Sequence, residues 1–151
     1  MKACQVRIPA VNKPGVLARV TAVLSREKIS IRATAISSFG ERGFFNLIVD
    51  DPVRAEKVLN RDGIAAELRE VVAVLIPDQP GGLDRLAQFL AAEQVNIENA
   101  YGFVIESRVK AVFVLEVADP DRVLELLKKA KFEILSSQAI ADIEPFHYMK
   151  Y

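Results

Sequence analysis

Asn12-Lys13-Pro14-Gly15-Val16-Leu17 is repeated as Asp78-Gln79-Pro80-Gly81-Gly82-Leu83, at an offset of 66 (Pro14 to Pro80). At that offset the helical stripe Leu17, Val20, Leu24 falls on Leu83, Leu86, Leu90, and Ile29-Ser30-Ile31 falls on Val95-Asn96-Ile97. Further on, the offset is 68 (Asp51 to Asp119), where Ala55, Val58 and Leu59 meet Val123, Leu126 and Leu127. Turn chemistry, apolar phase and spacing persist together, so the chain must fold as two copies of one unit. The second copy gains two residues between its second and third strands, where Gly40-Glu41-Arg42-Gly43 in the first copy and Glu106-Ser107-Arg108-Val109-Lys110 in the second read as hairpin turns tolerant of insertion.

Within each copy the apolar period sets the elements. The first reads as a strand at about 3–10, a helix from Pro14-Gly15 to about Glu27, strands at about 30–38 and 44–50, a helix from Pro52 to about Arg61 and a strand at about 65–70. The second predicts strands near 71–76, 96–106, 110–117 and 133–142, with helices near 82–93 and 120–130. The order is βαββαβ twice. The predicted class is α+β: tandem ferredoxin-like units over residues 1–70 and 71–143, each an antiparallel sheet with its helices on one face, followed by an aromatic tail at 144–151. No Gly, Pro or Ser separates the copies at 65–76, so the two sheets are expected to join rigidly, edge to edge.

Twenty Lys and Arg balance 20 Asp and Glu, so no overall field attracts nucleic acid or an anionic membrane. No stretch has signal-peptide or transmembrane character, and the expected location is the cytoplasm. The one cysteine, Cys4, alternates with Val6 and Ile8 and reads as a core thiol. The one histidine, His147, lies in the tail without nearby metal partners, so neither a metal nor a cofactor is expected. Asp51 and Asp119 each precede a proline suited to the first helical position, which makes them helix caps rather than general acids. Arg42-Gly43-Phe44-Phe45 carries part of the third-strand signature of RNA-binding ferredoxin-like domains, but Phe45 and Asn46 break it and the second copy has no counterpart. No nucleophile and base stand out together, and the chain is expected not to be an enzyme.

The two proline-glycine loops are different in kind. Each follows a strand and opens a helix, exposing free N–H groups and a positive dipole end where a carboxylate can bind. Spacing alone leaves open whether they are ligand sites or simply strand-to-helix turns.

Pro14-Gly15-Val16-Leu17 and Pro80-Gly81-Gly82-Leu83, each with a helical stripe and a capped second helix behind it, resemble the ACT domain family, and the resemblance covers all but the last residues of the chain. It implies a regulatory module that binds a small molecule, an amino acid foremost, without a catalytic domain, and that acts through a partner protein. The alternative is an interaction domain that has lost ligand binding. Family members bind amino acids where the first loop of one domain faces the second strand of its neighbour, using one residue before the Pro-Gly and one at the start of the facing strand. By that resemblance one site takes Asn12 and Asn96, flanked by Lys13, Pro14, Gly15, Val16, Leu17 and Tyr101. A second, weaker site takes Asp78 and Ser30 with Gln79, Pro80, Gly81, Gly82 and Leu83, because the Asp78 carboxylate repels an anion where Asn12 does not. A histidine found before the loop in serine-sensing relatives is replaced here by Ala10 and Ile76.

One further expectation concerns assembly. Phe45, Leu47 and Val49 align with Phe113, Leu115 and Val117 on the helix-covered face, yet Phe44, Ile48, Val112 and Val114, with Val71, Ala73 and Leu75, make the opposite face apolar too. A second subunit is expected to cover it, giving a homodimer or larger.

Overall fold

The computed structural model describes residues 2–11 and 13–143; Asn12 and the tail at 144–151, with His147, lie outside the described residues. The chain divides into two compact units, Cys4–Arg69 and Glu70–Tyr151 with Met1–Ala3. The first holds β1 (Ala3–Val11), α1 (Val16–Arg26), β2 (Ile31–Phe39), β3 (Arg42–Val49) and α2 (Pro52–Arg61). Its sheet has β3 in the middle, antiparallel to β1 on one side (Val6 opposite Leu47, Ile8 opposite Phe45) and to β2 on the other (Ile36 opposite Phe45). Val6, Ile8, Phe45, Leu47 and Val49 face the helices and pack on Val20, Leu24, Ala55 and Leu59.

The second unit repeats the plan with α3 (Gly82–Ala92), β5 (Asn99–Glu106), β6 (Lys110–Glu116) and α4 (Pro120–Lys129). There β6 lies between β4 (Glu67–Pro77) and β5, and β7 (Glu133–Leu135) pairs with the far side of β4. Val72, Val74, Leu86, Leu90, Leu115 and Leu127 form its core. Each such side chain, fully buried, contributes about 1.5–3 kcal/mol.

Helix ends follow the sequence closely. Asp51 Oδ1 accepts from Arg54 N at 3.2 Å and Asp119 Oδ1 accepts from Arg122 N at 3.1 Å, with Pro52 and Pro120 opening α2 and α4. The other ends stop on a left-handed residue just past the helix: Lys28 (φ 57), Gly63 (φ 80), Gln94 (φ 56) and Lys131 (φ 64). After each, an amide reaches back five residues, as Ile64 N does to Leu59 O at 2.9 Å and Phe132 N to Leu127 O at 3.0 Å. The two copies are therefore congruent at the residue level.

Four expectations need correction. The strands at 65–70 and 71–76 are one continuous strand, β4, because nothing between them breaks extended backbone. The strand expected at 133–142 stops at Leu135 and gives way to a short helix, α5 (Ser137–Ala141), because the Ser136 hydroxyl accepts from Ala139 N at 3.1 Å and caps a new turn. Cys4 is half-buried rather than part of the core. On the helix-free side, Ile48, Val71, Ala73, Val112 and Val114 are each at most 1% exposed within the single chain. Those residues therefore give no reason for a second subunit; of that set only Phe44, at 37%, is substantially exposed.

Candidate functional site

The first loop leaves β1 and enters α1 through Pro14 and Gly15. Gly15 sits at the helix N-cap with φ 91, a left-handed conformation that a side chain would strain, and no side chain caps the helix there among the described residues. Gly15 O accepts from Arg19 N at 3.0 Å, so the first turn is formed, and the amides of Val16, Leu17 and Ala18 belong to the unsatisfied first turn. Lys13, Pro14, Gly15 and Leu17 are exposed, and Val16 is half-buried against the core. A concentrated set of donors thus faces solvent beside one lysine.

The second loop uses the same backbone at Gly81 (φ 91), again without a side-chain cap. Its surroundings differ. Asp78 does not cap α3; its Oδ2 accepts from Arg108 N at 2.7 Å, and Asp78 N donates to Val109 O at 3.1 Å. Gln79 Nε2 adds a long bond to Arg108 O at 3.4 Å. The loop is therefore tied to the turn between β5 and β6, and Gly82 N is used by Gln79 O at 3.0 Å. The backbone comes so close to β4 that a Cβ on Gly82 would lie 2.1 Å from Pro77 O, a contact that the first copy avoids with Val16 at the same place.

The remaining residues expected at the sites fall as follows. Ser30 lies just before β2, exposed, and its backbone is held on both sides by Asp50: Ser30 N donates to Asp50 Oδ1 at 3.1 Å and Asp50 N donates to Ser30 O at 3.1 Å. Asp50 thus fixes the start of β2, a role that its pairing with Asp51 in sequence does not reveal. Asn96 lies in the loop before β5, which starts at Asn99 rather than at 96, and is exposed. Tyr101 lies on β5 opposite Val114, on the helix-free face. Of all these residues the structure joins the second loop to its own hairpin; Ser30 belongs to the first unit, Asn96 and Tyr101 to the second.

Sequence reasoning missed a cavity of about 320 Å³ beside the first loop. Its floor is Ile8, Val20 and Ile64; Lys13 and Arg19 stand at its rim, and Gly63 borders it. Arg19 Nη2 donates to Asp62 O at 2.8 Å, which lays the guanidinium along the edge. The Asp62 carboxyl is held below its ordinary range chiefly by the hydrogen bond from Arg26. Glu27 is likewise lowered, chiefly by Arg61, with Arg54 bonding it at 2.9 Å. The acidic groups nearby are therefore already matched by arginines, and the rim facing the cavity is cationic.

Residues 1–144 match a protein family described as an ACT domain pair. A crystal structure of a protein from Bacteroides thetaiotaomicron is 34% identical, with a TM-score of 0.86, covering 94% of this chain and 97% of the other. The regulatory subunits of aspartate kinase from Thermus thermophilus and Thermus flavus share the fold at 20% and 18% identity, with TM-scores of 0.61 and 0.59; the former pair covers 86% of this chain and 93% of that one, the latter 87% and 94%. No curated protein matches the chain.

Proposed function

The chain belongs to the ACT domain pair family, a regulatory and ligand-binding type of module, and from that premise we propose that it binds a free amino acid at the first loop and does so without catalysing a reaction. The observation that carries this reading is the contrast between the loops: the amides after Gly15 open to solvent beside Lys13, whereas the second loop is held down by Asp78 and Arg108. A ligand carboxylate takes the place of the missing cap on α1, accepting from the first-turn amides, with Lys13 adding charge. Asn12 then serves the ligand with an amide that both donates and accepts. The ammonium group lies away from Arg19, which is held by Asp62 O, and Lys13 is long enough to swing aside.

Calorimetry with the common amino acids tests this. Binding by at least one, at one site per chain, weakened roughly ten- to a hundredfold by Asn12→Ala through loss of about 1.5–3 kcal/mol, is the expected result. Heat from no amino acid, or equal binding after Asn12→Ala and Lys13→Ala, defeats the proposal. The bound protein should also melt at a higher temperature, since a ligand that binds only the native state stabilises it.

A further inference from the structure

We propose that the cavity between α1 and the turn after α2 in the first unit is a binding site for a small carboxylate with an apolar body, branched aliphatic or aryl. Its volume, about 320 Å³, is ample for such a molecule, since a cavity of about 150 Å³ lined by apolar side chains already holds benzene. The floor is apolar: Ile8 and Val20 are 1% exposed and Ile64 is 7% exposed. Among the described residues no carboxylate lines the cavity, and the two charged ones that do, Lys13 and Arg19, are both cationic. Arg19 spends one Nη on Asp62 O, which leaves guanidinium donors at the mouth.

The second unit shows what this place is built to hold. At the position of Ile64 it has Phe132, whose ring lies under the Arg85 guanidinium at 4.6 Å from the centroid and against Phe89 at 5.3 Å. Arg85 is the counterpart of Arg19, at the fourth residue of its helix, and bonds Gly81 O as Arg19 bonds Gly15 O. The second unit thus supplies its own apolar body beneath the arginine. The first keeps the arginine, shortens the aromatic to Ile64, and has Gly63 where Lys131 would bring a side chain; a Cβ there would lie 3.6 Å from Arg19 Nη2. A ligand with an apolar body fills the space that Phe132 fills, and its carboxylate meets Arg19 and Lys13.

This inference stands apart from the amino-acid reading, sharing Lys13 with it but requiring neither Asn12 nor an ammonium group. Calorimetry with 3-phenylpropanoate and 4-methylpentanoate, which have no amino group, tests it on the full chain. At least one is expected to bind with one site per chain, and Ile64→Phe and Arg19→Gln are each expected to weaken it at least tenfold. Ile64→Phe imports the residue that the second unit already accommodates, and Arg19→Gln alters an exposed side chain, so the pair keeps the test decisive if one variant folds poorly. Absence of binding by both probes, or binding unchanged in both variants, overturns the proposal. Glycine binding that is lost in Asn12→Ala but kept in Ile64→Phe, with neither probe bound, upholds the amino-acid reading and sinks this one. Probe binding sensitive to Ile64→Phe in a protein that binds no amino acid does the reverse.

Discussion

The first unit ends its leading loop in an exposed Pro14-Gly15 turn above a hollow, whereas the second, on the same turn, ties its loop to a hairpin and fills the hollow with Phe132. The backbone is shared down to the φ of 91 at Gly15 and Gly81. Five side-chain choices bear on the contrast: Asn12 against Asp78, Lys13 against Gln79, Val16 against Gly82, Gly63 against Lys131 and Ile64 against Phe132. Duplicated folds separate function from stability in this way, because a binding site needs unsatisfied donors and empty space, and both weaken a fold unless the rest of it is well packed. The second unit reads as the copy that has closed both.

The sharpest way to break that comparison is to give the second unit the residue of the first. Gly82→Val forces a Cβ into the Pro77 carbonyl, 2.1 Å from its oxygen, so the start of α3 must lift from β4. The expected loss is about 3 kcal/mol, the upper part of the usual range for overpacking, read as a lower urea midpoint. The reciprocal Val16→Gly meets no such clash and should cost about 1–2 kcal/mol, from the half-buried side chain and the backbone freedom of glycine. Equal effects would mean that the two loops pack alike after all.

Next in size is Phe132→Ile, which makes the second unit resemble the first. It removes the ring contact with Phe89 and the stacking of Arg85, together worth about 1–2 kcal/mol. The same substitution should open a hollow beneath Arg85. A variant as stable as the parent would mean that Phe132 contributes no more than an aliphatic side chain does.

Asp78→Ala comes third. Loss of the bond from Arg108 N at 2.7 Å should destabilise by about 1 kcal/mol and speed hydrogen exchange at the Arg108 amide. Amino-acid binding at the first loop should be unchanged. If Asp78→Ala alone abolished binding, the ligand would belong to the second loop.

Much of the fold was legible in the sequence because it rests on local chemistry that recurs at fixed spacing. The stripes of α1 and α3, the aspartate-proline starts of α2 and α4, and the alternation Phe45, Leu47, Val49 all state their partners directly. The run at 133–142 did not, since Ile134 and Leu135 carry strand propensity right up to the serine whose hydroxyl turns the chain. The site was legible only in its loop. The sequence places Asp78 at a second, weaker ligand site, and its actual donor, Arg108, is distant in sequence and is brought near by the β5–β6 turn. The cavity gave no sequence signal of its own, because Ile64 looks like any core residue until α1 is laid across the turn that carries it. Comparing the copies was the available clue: Phe132 against Ile64 and Lys131 against Gly63 are changes of size at congruent positions.

The smallest expected effect distinguishes the units by their charges. In the first, Arg26, Arg54 and Arg61 surround Glu27 and Asp62, and both carboxyls are lowered, Glu27 first by its hydrogen bond from Arg61 and Asp62 first by that from Arg26. In the second, Lys2 bonds Asp121 at 2.6 Å and Glu70 at 3.0 Å, and its pKa is pushed up to about 12, Asp121 being the larger cause. A lowered carboxyl stabilises the fold above its unfolded pKa of about 4, and the contribution is lost as pH falls through the folded value. A raised lysine stabilises below its unfolded value of about 10.4, and that contribution is lost as pH rises through the folded value. Between these limits both networks are present in full. Acid should therefore loosen the junction of α1 and α2 first, and strong alkali the pairing of Lys2 with α4 and β4. These groups are exposed to solvent, so each effect is small and shrinks with salt. The check is hydrogen exchange at α1 and α2 near pH 3, in low and high salt, on the parent chain and on Glu27→Gln. Weaker protection in the parent at low pH, measured relative to the intrinsic amide rate at each pH and reproduced at neutral pH by the variant, is expected. Protection indifferent to both pH and Glu27→Gln would show that the arginine cluster orders the surface without stabilising the first unit.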